Sequence, residues 1–317
     1  MNPSENKRSI PFVKHRKKFF TFSAVFFLAG IILLFTAGLN LGIDFQAGSK
    51  VEVLANDTLT AEEVEQQFAS IGDGYEPDEI TLAGDNNELA YASFIGTLSQ
   101  DEIAEIQTYF GDQYGQQPTI STVSPQVGKE LAQNALISVL IASIGIILYV
   151  TIRFEFWYGL ASIAALMHDA FFIIVVFSIV QFEVNVPFIA AVLTIVGYSI
   201  NDTIVTFDRI RENMSYEEEI TSFDDLARVV DLSLNQTIVR SINTVLTVVF
   251  AAGAIFLFGG EAIRSFSFAL VIGLVAGTYS SLFLASQLWL SWKWKSIQRG
   301  WNKPQKEEEP EDMEPEV

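Results

Sequence analysis

The chain has 317 residues, 50% hydrophobic and 13% aromatic, with mean hydropathy +0.32 and a formal net charge of −19. Those values fit a polytopic membrane protein better than a soluble domain. The lack of cysteine excludes disulfides, thiolate catalysis and cysteine-based zinc sites, and the acidic balance argues against a nucleic-acid partner.

Residues 1–18 are polar and basic, carrying Lys7, Arg8, Lys14, Arg16, Lys17 and Lys18. The apolar run that follows, 19–41, is longer than a signal-peptide core. It has no convincing small-residue cleavage site and further spans come after it, so it reads as an uncleaved anchor. Crossing a bilayer of roughly 30 Å takes about 20 helical residues. Runs of that length fall at 19–41, 131–152, 156–180, 186–207, 242–258 and 265–290. Polar residues Asn243, Thr244 and Thr247 interrupt the start of the fifth. With the N-terminus inside, all but Lys50, Lys129 and Arg264 of the 19 lysines and arginines fall on the inner side. Both termini are therefore expected in the cytoplasm, with a charged, disordered tail over 291–317.

The segment 42–130 lies outside in this topology and is acidic. Strands are expected at 49–55, 79–82, 88–95 and 118–123, the middle two joined by a turn at 84–87. Thr60-x-x-Glu63 and Ser99-x-x-Glu102 are capping boxes that open amphipathic helices through Val64 and Phe68, and through Ile103, Ile106 and Phe110. The order β-α-β-β-α-β is that of a ferredoxin-like unit. The fold class expected is thus six transmembrane helices plus one small α+β domain between the first two. The inner segment 208–241 reads as a loop holding one amphipathic helix, which opens at Ser222-x-x-Asp225 and continues through Leu226, Val230 and Leu234.

Polar groups at membrane depth mark candidate sites, because a charge there costs a few kcal/mol or more. Asp202, beside Asn201, is the foremost. It is either a proton acceptor or a carboxylate fixing helix packing through a neighbour such as Ser199 or an asparagine on another span. His168 and Asp169 lie mid-span in the third run and either relay protons or satisfy polar groups of the fourth. Arg240, at the inner end of the fifth run, is either a snorkelling anchor or a partner whose distance sets the protonation of Asp202. Neither pair makes a metal site, since the one other histidine is His15. Gly42 to Ser49, leaving the first span with Asp44 and Phe45, suits a tight turn into a strand. Gly273 and Gly277 form a G-x-x-x-G that suits close helix packing.

These stretches resemble a known family, the SecF branch of the SecD/SecF protein-export proteins. Gly42-Ile43-Asp44-Phe45-x-x-Gly48-Ser49 is similar to its G-I-D-F-x-G-G-T, with Ala47 in place of the first glycine of the pair. His168-Asp169 is similar to its third-span H-D pair. The stretch 196–213, with Gly197, Asn201, Asp202, Asp208 and Arg209, resembles V-G-Y-S-x-N-D-T-x-V-x-F-D-R-x-R-E-N. Arg240-Ser241-x-Asn243-Thr244 resembles the R-[ST]-x-x-T start of the fifth span.

The resemblance implies a membrane fold related to resistance-nodulation-division exporters and a location in the bacterial cytoplasmic membrane. It implies SecD and the SecYEG channel as partners, with YajC- or YidC-type accessory proteins and unfolded preprotein on the outer side. It further implies no enzymatic activity and no cofactor, the coupling ion being H⁺ with Na⁺ as alternative, and proton movement through Asp202 and Arg240. Three other readings compete: a passive clamp on SecD, a small-molecule exporter, and an intramembrane aspartyl protease using Asp169 and Asp202. The protease signature G-x-G-D is absent, and 42–128 is small for a substrate-binding porter domain.

Overall fold

A computed structural model describes residues 10–84, 86–217 and 219–301. Lys7, Arg8, the turn residue Asp85 and the tail from 302 onwards lie outside them. In chain order, helix α1 (Arg16–Thr36) leads into the one-turn helix α2 (Ile43–Gln46) and strand β1 (Gly48–Leu54). Then come α3 (Ala61–Ile71), β2 (Glu79–Ala83), β3 (Leu89–Ile95), α4 (Gln100–Tyr114) and β4 (Thr119–Val123). The remainder is helical: α5 (Pro125–Arg153), α6 (Phe156–Val180), α7 (Val186–Ser215), α8 (Phe223–Phe258), α9 (Glu261–Tyr279) and α10 (Ser286–Trp301). A π-helical turn, Ser280–Ala285, joins the last two. Among the described residues six helical stretches are long and apolar enough to cross a membrane, and the chain is a multi-pass membrane protein.

Both capping boxes form: Thr60 and Glu63 exchange bonds at the start of α3, and Ser99 and Glu102 do so at α4. The four strands pair antiparallel in the order β2-β3-β1-β4, the sheet of a ferredoxin-like unit. Alternation in β1 sends Val51 and Val53 to the face covered by Val64, Phe68, Ile106 and Phe110 of the two helices. Lys50 and Glu52 are left on the opposite face.

The exit motif is not the simple turn the sequence suggests. Gly42 and Gly48 flank the turn of α2, and Ala47 closes it at φ +62°, ψ 127°. A side chain in that region costs roughly 1–3 kcal/mol, which explains a glycine there in the related motif. At Gly48 the reason differs: a Cβ would collide with the backbone carbonyl of Phe94 on β3.

A second departure concerns 208–241. Rather than a loop, its second half is the start of α8, one unbroken helix of 36 residues. At about 1.5 Å per residue this spans roughly 54 Å, well beyond a bilayer's hydrocarbon core. No proline interrupts it, and one buried stripe (Leu226, Val230, Ser233, Thr237, Ser241) runs from the amphipathic part into the membrane part. The sixth run likewise extends on both sides of its expected limits, through the π turn.

Helices α7 and α9 pack closely in the bundle. A Cβ on Gly273 would lie 2.7 and 2.9 Å from Cγ1 and Cγ2 of Ile195, so the glycine permits the contact. Gly273→Val should lower stability by about 1–3 kcal/mol through overpacking. Adding Ile195→Ala should restore part of it, as read by thermal denaturation in detergent.

Candidate functional site

Helix α7 is capped by Asn185, whose Oδ1 accepts from Phe188 N at 3.1 Å, with Pro187 in the first turn. Its helical spacing buries Ile195, Ser199, Thr203 and Phe207 along one stripe and leaves Asn201 exposed. Asp202 stands on the flank, half-buried against α8. Its Oδ1 accepts from Ser241 Oγ at 2.6 Å, while its Oδ2 is buried and has no hydrogen-bond partner. The partner is thus Ser241, the residue after Arg240 in the motif at the start of the fifth span, and not Ser199.

A small cavity of about 70 Å³ opens at this carboxylate, lined by Tyr198, Asn201, Asp202, Arg240, Thr244 and Gly277, among others. Arg240 therefore shares the cavity with Asp202, yet no salt bridge joins them among the described residues. Polar groups on two sides and room on the scale of a few water molecules let the cavity hold water between carboxylate and guanidinium. The threonines that blurred the fifth span satisfy themselves: Thr244 Oγ1 donates to Arg240 O at 2.9 Å and Thr247 Oγ1 to Thr244 O at 2.7 Å.

Asp169 sits elsewhere, fully inside the bundle. Its Oδ2 accepts from Ser199 Oγ on α7 at 2.5 Å and from Ser280 Oγ on the π turn at 2.8 Å. Its Oδ1 lies 3.4 Å from His168 Nδ1, and His168 Nε2 is buried without a partner. Ser281, the next residue of the π turn, bonds Thr203 Oγ1 at 2.7 Å. A π turn inserted beside a buried carboxylate turns two consecutive hydroxyls toward α6 and α7, a placement common at functional sites. Ser280 and Ser281 escaped the sequence reading. The signal that could have found them is an adjacent polar pair inside an apolar span.

No hydrogen bond joins Asp169 to Asp202 among the described residues: Asp169 accepts from Ser199 and Ser280, and Asp202 from Ser241. Ser199 is the common element: it borders the cavity and donates to Asp169.

The remaining motif residues frame this arrangement. Asp208 pairs with Arg211 at 2.5 Å and with Arg153 of α5 at 3.7 Å. Arg209 pairs with Glu212 at 2.6 Å and donates to Gln236 of α8 at 2.6 Å. The two pairs within α7 add little energy, and only the contacts to Arg153 and Gln236 link this end of α7 to α5 and α8. Gly197 faces open space. Gly42, Asp44 and Phe45 gather far away, at the opposite end of α7.

Helical spans enclosing ionisable groups, with an α+β domain mounted on one end, define a multi-pass membrane protein whose buried ionisable residues are its candidate functional positions. The comparisons specify which. The model of the protein export membrane protein SecD/SecF C-terminal region matches residues 104–295, and the SecD/SecF GG motif matches residues 32–58. A protein translocase subunit SecDF of Bacillus subtilis is 53% identical over 288 residues, covering 91% of this chain and 39% of that protein. A protein translocase subunit SecF of Alicyclobacillus acidocaldarius is 42% identical, covering 90% of this chain and 94% of that one. The crystal structure of SecDF from Thermus thermophilus, a translocon-associated membrane protein, superposes with a TM-score of 0.80 at 31% identity. That match covers 92% of this chain and 40% of the SecDF chain. The chain belongs to the SecD/SecF family of protein export membrane proteins. It spans about two fifths of the length of its SecDF relatives.

Proposed function

We propose that this chain is the SecF-type half of a SecD/SecF pair and uses the proton gradient to drive late steps of preprotein export through the Sec channel. The observation that carries the reading is the cavity in which Asp202 and Arg240 stand without pairing. In it a proton on the unpartnered Oδ2 would weaken the pull on Arg240, and its loss would strengthen it. In the proposal Asp202 takes a proton from outside and releases it inward, and the change in attraction shifts α7 against α8. His168 and Asp169 act as a second ionisable station, reached from the cavity through Ser199. The coupling ion is H⁺, with Na⁺ as the alternative the experiment separates.

Several further assignments belong to this reading. The chain is a transport subunit and not an enzyme. It sits in a bacterial cytoplasmic membrane with both termini inside, and the α+β domain meets unfolded preprotein outside. Asn201, Arg240, Asn243, Thr244 and Thr247 are exposed on the bundle at membrane depth, where lipid is a poor neighbour. That favours a protein cover, which we assign to SecD, with the SecYEG channel and YajC- or YidC-type proteins as wider partners.

The test is a vesicle assay containing this chain, SecD and SecYEG, loaded with a stalled preprotein. An imposed proton gradient should speed release in vesicles with the chain and leave those without it unchanged. A sodium gradient that works equally well at fixed pH would reassign the ion. No response to either would leave a passive clamp.

A further inference from the structure

The exit motif does more than turn the chain. Asp44 Oδ2 accepts from Val186 N, the first residue of α7, at 2.9 Å. Gly42 N donates to Val184 O at 2.9 Å, Val184 N donates to Asn40 O at 2.7 Å, and Leu41 stands opposite Val184 in a parallel bridge. On β1, Lys50 Nζ reaches Glu183 Oε2 at 2.8 Å. The missing side chain of Gly42 is what lets Glu183 lie there, since a Cβ would strike its carboxylate. The α+β domain is thus fastened by backbone bonds, a helix cap and an ion pair to the outer end of α7. That is the helix carrying Asp202, about 24 Å further along at 1.5 Å per residue.

The other side of the domain is held differently. A cavity of about 630 Å³ separates Leu82, Ala83, Leu89 and Tyr91 of the sheet from Phe258 and Glu261 at the α8–α9 turn. The domain is thus joined to α7 by the exit motif and to α5 by the direct passage of β4 into it, while its β2–β3 edge stands off from the α8–α9 turn.

We infer that the segment 41–50 is a rigid coupling joint. The outer domain moves as one body with the outer end of α7, and a shift of α7 tilts it across the cleft over the α8–α9 turn. The driving force rests on the proton-coupled reading, but the rigidity of the joint does not. Asp44 and Lys50 are positioning residues that act through α7, remote from the ionisable site.

The chain has no native cysteine, so a Leu41→Cys/Val184→Cys pair can form one disulfide within it and no other. In the full chain with SecD in membranes, the oxidised form should export at the wild-type rate, because the joint stays shut throughout the cycle. Export that stops on oxidation and returns with reductant would overturn the proposal. In a second arm, spin labels at Thr58 and Ala190, both exposed, report the distance from the domain to α7. The distribution should be narrow in the native background and the same with and without a proton gradient. In Asp44→Ala/Lys50→Ala it should broaden, and export should fall to the level of cells lacking the chain. A double variant that keeps a narrow distance or exports normally would equally overturn the joint. Normal export by an Asp202→Asn variant would instead remove the proton drive and leave both joint readouts interpretable.

Discussion

Replacing Asp202 by asparagine is expected to stall export while leaving the protein assembled. The substitution keeps an oxygen to accept from Ser241 Oγ and removes only the ability to gain and lose a proton. One elementary charge crossing 100 mV is worth about 2.3 kcal/mol, a factor of roughly 50 in an equilibrium. Losing that drive should slow release of a secreted reporter by about tenfold or more in a pulse-chase. Membrane level and co-purification with SecD should stay near wild type. Normal export kinetics would mean that Asp202 serves packing and that the chain acts as a scaffold.

The second large effect is expected at Asp169 and separates structure from chemistry. Asp169→Ala removes the acceptor shared by Ser199 and Ser280 and leaves a polar void among buried groups. A buried hydroxyl without its partner costs about 1–3 kcal/mol, and two of them should visibly lower the melting temperature and the amount of assembled protein. Asp169→Asn retains an acceptor oxygen and should melt close to wild type. If Asp169 is the second proton station, the asparagine variant should nonetheless export slowly. Wild-type export by that variant would assign Asp169 to packing alone and confine proton handling to the cavity at Asp202.

Much of the architecture was legible because its signals are local. Six apolar runs of spanning length, two capping boxes and strand-period alternation each lie within one continuous stretch of chain. They placed the six spans and the order of the outer domain. The amphipathic helix expected to open at Ser222 forms, but it does not end before the fifth span, because the buried stripe of α8 continues past Arg240. At Ala47 the sequence shows only an exchanged glycine, and the positive φ that the position demands is a property of the folded backbone.

By itself, then, the sequence determined what stands in the membrane: a carboxylate at 202, a His-Asp pair at 168–169, an arginine at 240 and a glycine-rich exit at 42–48. Tertiary structure decided what each of them meets. Asp202 finds Ser241 on the next helix, Asp169 finds Ser199 and Ser280 on two others, and Asp44 finds the start of α7 across 142 positions of chain. Helical periodicity assigns a residue to a face, but the rotation and axial register of one helix against another follow from how whole side-chain ridges pack. Contacts such as Gly273 on Ile195 set that register. A single turn of difference would hand each carboxylate a different partner.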